Sequence, residues 1–292
     1  TISFAPLLAA PRVGPDDLRG CVGGEASDAT RRRLVGAAAL CVVRWGAALA
    51  RMELATAHDD DDDDDDEPWD AAFAHALGAA AVASASLAEL NVDGSVLPIR
   101  RLKGTEPVAA LDLSARQLRV ASAVVIAKCI EVNSVLTTLN LSLNSIGVEG
   151  AKAIGGSLRV NSVLTELNIG DNPLGEDGVR ILTASLESNT ALKKLDLHNQ
   201  YGYVEFKIGP SGAKFVAKML AVNSVLTDLN LSGNSIGGYR NDDYEWFCTP
   251  EGPAAIADAL RVNSVLTSIG EGGLNLKGNS LGDEGWGAII SA

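Results

Sequence analysis

The chain has 292 residues, 47% hydrophobic and 21% charged, enough to bury a substantial core and too apolar for a disordered polymer. Only 4% are aromatic and the formal net charge is −13, which argues against base-stacking platforms and against phosphate backbones as partners. The four cysteines, Cys21, Cys41, Cys129 and Cys248, lie far apart with no CxxC pair or neighbouring His, so neither a zinc site nor a disulfide framework is expected, and reducing, cytoplasmic surroundings fit.

Residues 1–26 read as an irregular leader with no basic region ahead of an apolar stretch, so no intact signal peptide is expected. Residues 27–58, rich in Ala, Leu and Arg, predict a helix that starts at Ser27 or Asp28. Its most apolar part, Leu34 to Ala50, carries Arg44 and is short for a bilayer span, so no transmembrane helix is expected. A second helix is predicted from Pro68 through Trp69, Phe73, Leu77 and Val82 towards Leu90. Together they would make an Ala-rich helical hairpin over 27–92 with an acidic loop, 59–67, at its tip. The eight residues Asp59 to Asp66 repel one another and favour an extended, solvated segment; without them the net charge would be −5. Two functional readings stand beside the solvated loop: a basic partner, as for histone chaperones, or weak divalent-cation binding, although the glycine placement of a calcium loop is missing. Residues 93–110, with Pro98 and Pro107, read as an irregular lead-in to the remainder of the chain.

From there to residue 292 the chain repeats itself. The string NSVLT begins at Asn133, Asn161, Asn223 and Asn263, with its relative NTALK at Asn189. The first two steps are 28 residues; the next two, 34 and 40, are 28 with insertions. Behind each anchor comes L-x-L: Leu139 and Leu141, Leu167 and Ile169, Leu195 and Leu197, Leu229 and Leu231, Leu274 and Leu276. Leu111 and Leu113 stand 28 residues before Leu139, giving six copies. Within a copy the apolar period changes from two (Leu136, Leu139, Leu141) to that of a helical face (Gly150, Ala151, Ile154, Leu158). Each copy is therefore a strand, a turn and a helix, and it can bury its apolar side only by stacking on its neighbours. Glycines recur at the strand-to-helix turn, at Gly147, Gly175, Gly209, Gly237 and Gly282.

These residues, L-x-x-L-x-L-x-x-N in register over residues 108–292, resemble leucine-rich repeats, and the 28-residue length with a full helix is similar to the ribonuclease-inhibitor type. The resemblance implies an α/β fold: a solenoid in a horseshoe arc, its parallel sheet inside and its helices outside, here preceded by the helical hairpin. It also implies that Asn144, Asn172, Asn234 and Asn279 hydrogen-bond backbone groups after each strand; Arg116 and Gln200 depart from the pattern. A second stretch, from Pro15-Asp16-Asp17-Leu18 to Cys41-Val42-Val43-Arg44-Trp45, resembles an F-box, the adaptor-binding motif that precedes such repeats in ubiquitin-ligase substrate receptors, with Gly23, Gly24 and Glu25 where its apolar middle belongs.

Chemistry is sparse. There is no G-x-x-x-x-G-K-[ST] phosphate loop, and His58, His75 and His198 lack partners at metal spacing, so no catalytic residue, metal or cofactor is assigned. His198 and Asp196 share one strand face, an arrangement that permits acid–base work or a contact surface. In the resembling family the inner sheet face binds proteins, which makes Thr138, Asn140, Ser142, Glu166, Asn168, Gly170, Lys194, Asp196, His198, Asp228, Asn230 and Ser232 the candidate contacts. This face has no large aromatic. The aromatics gather instead in the insertions 201–207 and 238–249, as Tyr201, Tyr203, Phe206, Tyr239, Tyr244, Trp246 and Phe247, and predict a binding rim or a satellite core. A third insertion, 269–273, precedes its strand and reads as a simple loop on the opposite rim. The last copy stops within its helix at Ala292, so a neighbouring subunit or further repeats are expected to cover that end. The expected function is a non-enzymatic scaffold for a protein partner; the alternatives are a small-GTPase regulator similar to Ran-type activators and an F-box-like ubiquitin-ligase receptor. Asn140-Leu141-Ser142 and Asn230-Leu231-Ser232 are formal glycosylation signals on the candidate contact face, where a glycan would obstruct binding, which again favours a cytoplasmic location.

Overall fold

A strand needs one apolar residue in two and a helix one face in 3.6, and the repeated segments satisfy both in turn. A computed structural model describes residues 12–13, 51–54, 71–200, 207–240, 246–270 and 272–292, and the chain divides into two compact units: 1–108 with 117–133, and 109–116 with 134–292.

In the second unit six short strands form one parallel sheet: β5 (Ala110–Asp112), β6 (Thr138–Asn140), β7 (Glu166–Asn168), β8 (Lys194–Asp196), β9 (Asp228–Asn230) and β12 (Leu274–Asn275), each beside its neighbour in sequence. The register places Leu111, Leu139, Leu167, Leu195, Leu229 and Leu274 in one column. Five of the six are at most 2% exposed. Leu111 departs from the expected burial: on β5, which among the described residues has a strand on one side only, it is half-buried. Between the strands run α4 (Gly147–Leu158), α5 (Gly175–Leu186), α6 (Gly209–Val222), α7 (Glu251–Leu260) and α8 (Gly282–Ile290), each packed on the next. Their apolar faces, for example Ala151, Ile154 and Leu158, close the core against the leucine column. Gly147, Gly175, Gly209 and Gly282 open these helices at φ between +58° and +66°, the left-handed region that a β-carbon disfavours.

The asparagine ladder is built as expected. Asn172 donates from Nδ2 to the carbonyls of Leu141 (2.9 Å), Ile169 (3.0 Å) and Gly170 (3.1 Å), and its Oδ1 accepts the Ile146 N–H at 3.1 Å. Asn144, Asn234 and Asn279 repeat the pattern and are likewise buried. A second ladder runs at the opposite end of the strands. Asn189, Asn223 and Asn263 each follow one helix and donate to a last-turn carbonyl of the helix one repeat earlier, Leu158 of α4 (2.6 Å), Leu186 of α5 (2.9 Å) and Leu220 of α6 (2.8 Å), and their Oδ1 atoms accept backbone N–H groups two and three residues on. Helix C-termini leave such carbonyls without intrahelical partners, so this residue explains the constancy of NSVLT.

The first unit differs from the predicted hairpin. Arg51–Leu54, expected at the end of the first helix, is strand β2, and it lies between β1 (Arg12–Val13) and β3 (Glu89–Val92), parallel to both. The local pattern Arg-Met-Glu-Leu alternates, and Met52 is fully buried. The second helix, α1, spans Ala71–Ala83 and stops well short of Leu90, which belongs to β3. β3 turns back through Asp93 and Gly94, at φ +56° and +77°, into antiparallel β4 (Ser95–Pro98), followed by the short α2 (Ile99–Leu102) where an irregular lead-in was expected. Helix α3 (Val120–Glu131) packs on α1, so the helix of the first copy belongs to this unit. Two side chains tie its helix ends. Lys103, whose charge burial disfavours so that its pKa falls, donates to the Ser84 and Ala81 carbonyls behind α1. Asp93, its carboxyl pushed up by burial, accepts the Ser122 N–H (3.3 Å) and hydroxyl (3.0 Å) in the first turn of α3. Residues 27–50 and the acidic loop 59–67, with the F-box-like stretch, lie outside the described residues. Among the described residues no helix is long and apolar enough to cross a membrane.

Candidate functional site

On the sheet face that carries no buried leucine, the strands present short polar side chains. Thr138, Asn140, Glu166, Asn168, Asp196, His198, Asp228, Asn230 and Ser232 are partly exposed, Lys194 is exposed, and Ser142 is buried at 7%. The central column is less free than its polarity suggests. Asp112, Asn140, Asn168, Asp196, Asn230 and Asn275 each accept the backbone N–H two residues on, between 2.9 and 3.1 Å, an Asx turn that starts the bend after the strand. In Asp112 that bond, with a second from the Ser114 hydroxyl, holds the carboxyl below its usual value.

Around it lies a strip of mixed charge. Lys194 pairs with Glu166 at 3.1 Å. Asp228, on the next strand, has its carboxyl pushed up by burial; Lys194 opposes the shift, and the charges of Asp196 and Glu166 add to it. A cation arriving here from a partner would relieve that repulsion.

The densest cluster centres on His198. Its Nδ1 is 2.7 Å from Asp196 Oδ1 and its Nε2 is 2.9 Å from Asp171 Oδ2. Asp171 sits in the turn of the preceding copy at φ +50°, its side chain 4% exposed, and its Oδ1 accepts the Gln200 N–H at 2.6 Å. The ring leans over Gly170, where a β-carbon would overlap it. Hydrogen bonding to Asp196 raises the imidazole pKa against the pull of burial, with both carboxylate charges adding to the rise. Burial alone would raise Asp196, but the ring and the His198 N–H hold its carboxyl below the usual range. The signs set a pH window. The His198 contribution to stability is complete below its ordinary 6.5 and is lost as pH climbs through the raised value. The Asp196 contribution is present above its ordinary 3.8 and is lost as pH falls through the lowered value. The melting-temperature advantage of the native chain over His198→Gln is therefore expected to be greatest between those limits and to shrink as pH climbs through the raised His198 value. A difference that stays constant from acid to alkaline pH would mean that the ring never carries charge.

Residues 132–155, 160–180 and 222–238 match the leucine-rich repeat family model. The repeats are leucine-rich repeats. No curated protein matches the chain. Among solved structures, actin-binding site 2 of leiomodin-1 is 21% identical, with 56% of this chain and 86% of that one covered and a TM-score of 0.44. The tropomodulin C-terminal domain of Caenorhabditis elegans is 14% identical over 56% and 89%, also at 0.44. An internalin of Listeria monocytogenes is 15% identical over 64% and 56%, at 0.23. These likenesses are too distant to carry a partner across to this chain.

Of the aromatic residues expected to form a rim, Tyr201, Tyr203, Phe206 and Tyr244 lie outside the described residues. Tyr239, Trp246 and Phe247 are on a two-stranded antiparallel hairpin, β10 (Gly238–Arg240) with β11 (Trp246–Cys248), in which Tyr239 stands opposite Phe247. The leucine-rich repeat containing β8 breaks the common turn. Ala115, Leu143, Asp171, Gly233 and Gly278 hold one left-handed position in five repeats, but Asn199 does not, and the next residue, Gln200, is exposed instead of filling the ladder. Asp171 was missed in the sequence as a partner for His198. The signal was present: one 28-residue step back from His198 is Gly170, with no side chain to block the ring, and Asp171 follows it.

Proposed function

We propose that this leucine-rich repeat chain is a non-enzymatic scaffold that holds a protein partner on the open strand face from Thr138 to Ser232, with the aromatic insertions at 201–207 and 238–249 beside it. The observation that carries the reading is the mixed-charge strip of Glu166, Lys194, Asp228 and Asp196 on a face whose neighbouring leucines are fully committed to the core. Surface chemistry of this kind gives specificity through charge complementarity. Against catalysis, both ring nitrogens of His198 are engaged by carboxylates, which leaves none for a substrate proton. A cytoplasmic location goes with this reading, because the glycosylation signals at Asn140 and Asn230 lie on the face that would bind. Affinity capture from native lysate tests the reading when the native chain is compared with Lys194→Glu and Asp228→Lys on the face and Lys152→Glu on helix α4. Loss of the same captured protein by both face variants, with its retention by the helix variant, is expected. Equal capture by all four would refute the assignment of the face.

A further inference from the structure

Parallel strands leave an unpaired edge at each end of a sheet, and a terminal strand with free N–H and C=O groups is a template for another chain. In β12 the carbonyls of Gly273 and Asn275 point inward and accept the Leu229 (2.8 Å) and Leu231 (2.9 Å) N–H groups of β9. Because strand residues alternate, Leu274 is the residue of β12 whose backbone faces outward. Both of its groups are occupied by the chain's own third insertion. The Leu274 N–H donates to the Ser268 carbonyl at 2.9 Å, and the Leu274 carbonyl accepts the Gly270 N–H at 2.9 Å, which sets Ile269 beside Leu274 as a parallel bridge. The segment expected to be a simple loop on the opposite rim instead folds back along the sheet edge.

We infer that Ile269–Gly273 is an edge guard, a built-in strap that fills the place of the next strand and keeps the edge of β12 from pairing with a second copy of this chain. Ser268 supplies the carbonyl, and Gly270 the N–H, that a following strand would offer. The fold-back depends on its glycines: Gly270 and Gly272 adopt φ of +121° and +78°, and a β-carbon on Gly273 would overlap the Ser268 hydroxyl and carbonyl. The insertion is an addition to a complete repeat, since removing it joins Thr267-Ser268 to Leu274-Asn275-Leu276 and restores the T-x-L-N-L of Thr137 to Leu141 and Thr227 to Leu231. A second copy is the occupant that the uncovered edge would take. Two β12 strands related by a two-fold axis pair antiparallel, each offering the Leu274 N–H and carbonyl that the strap now occupies.

The test compares the full chain with two variants: deletion of residues 269–273, and Gly273→Val, which expels the strap without shortening the chain. Light scattering coupled to gel filtration reads mass, and amide hydrogen exchange on the native chain reads the Leu274 N–H. The native chain is expected to run as a monomer with Leu274 exchange slowed about tenfold or more relative to an open edge amide, and either variant to double in mass at the same concentration. Fast exchange at Leu274 in the native chain overturns the inference. So does a variant that keeps its circular dichroism and stays monomeric; if the deletion fails to fold, Gly273→Val decides.

Discussion

Leu167→Ala is expected to destabilise the second unit by about 2–5 kcal/mol, the range for removing a buried leucine from a core that cannot collapse around the gap. Leu167 sits on β7 with a strand on each side, Leu139 and Leu195 flanking it in register, and it is only 2% exposed. Each repeat relies on its neighbours for burial, so a cavity in the middle weakens two interfaces at once. Urea unfolding followed by circular dichroism should show a lower midpoint. Leu111→Ala makes the internal comparison: half-buried on β5, it should shift the midpoint by much less. Equal shifts, or none for Leu167, would mean that the column is not the core.

Asn172→Ala comes next in size. Its amide serves three carbonyls and its oxygen takes the Ile146 N–H, all away from solvent; an alanine strips the Ile169 carbonyl and the Ile146 N–H of this partner, while the Leu141 carbonyl keeps the Asn144 amide (2.9 Å) and the Gly170 carbonyl keeps the Leu143 N–H (3.1 Å). Stranded buried groups cost about 1–3 kcal/mol each before relaxation or water entry, so a total loss of about 2–4 kcal/mol is expected. Gln200→Ala, at the same place in the next repeat but exposed and outside the ladder, should be close to neutral. The difference between the two midpoints measures the ladder itself, and similar values would show that Asn172 acts only through local turn preference.

The repeats were legible because their demands are local and recur: the leucine column, the glycine that opens α4, α5, α6 and α8 and the first asparagine ladder all come from residues at fixed offsets, whereas Gly237, expected in the same role, leads into β10 and α7 opens at Glu251. What escaped depends on stacking. NSVLT marked the period, yet the reason for its asparagine is a carbonyl at the end of the helix one repeat earlier, for example Leu158 of α4 for Asn189, which no local pattern shows. Asp171 and His198 meet only because consecutive turns lie side by side. The first unit was misread for a different reason. An Ala-rich stretch suggested one continuous helix, and the four-residue alternation Arg51 to Leu54 was too short to stand out against it. The Asp93-Gly94 turn between Leu90-Asn91-Val92 and Ser95-Val96-Leu97 was a stronger hairpin signal than the prolines that suggested a lead-in. The fold-back of 269–273 could not be read at all, because three glycines specify freedom and not a destination.

Binding on the open strand face is most directly tested by amide hydrogen exchange on the native chain with and without its captured partner. Slowed exchange is predicted across 194–198 and 228–232, with 147–158 and 175–186 on the helices unchanged. Protection confined to the helices, with the strand face exchanging as in the free chain, would contradict it.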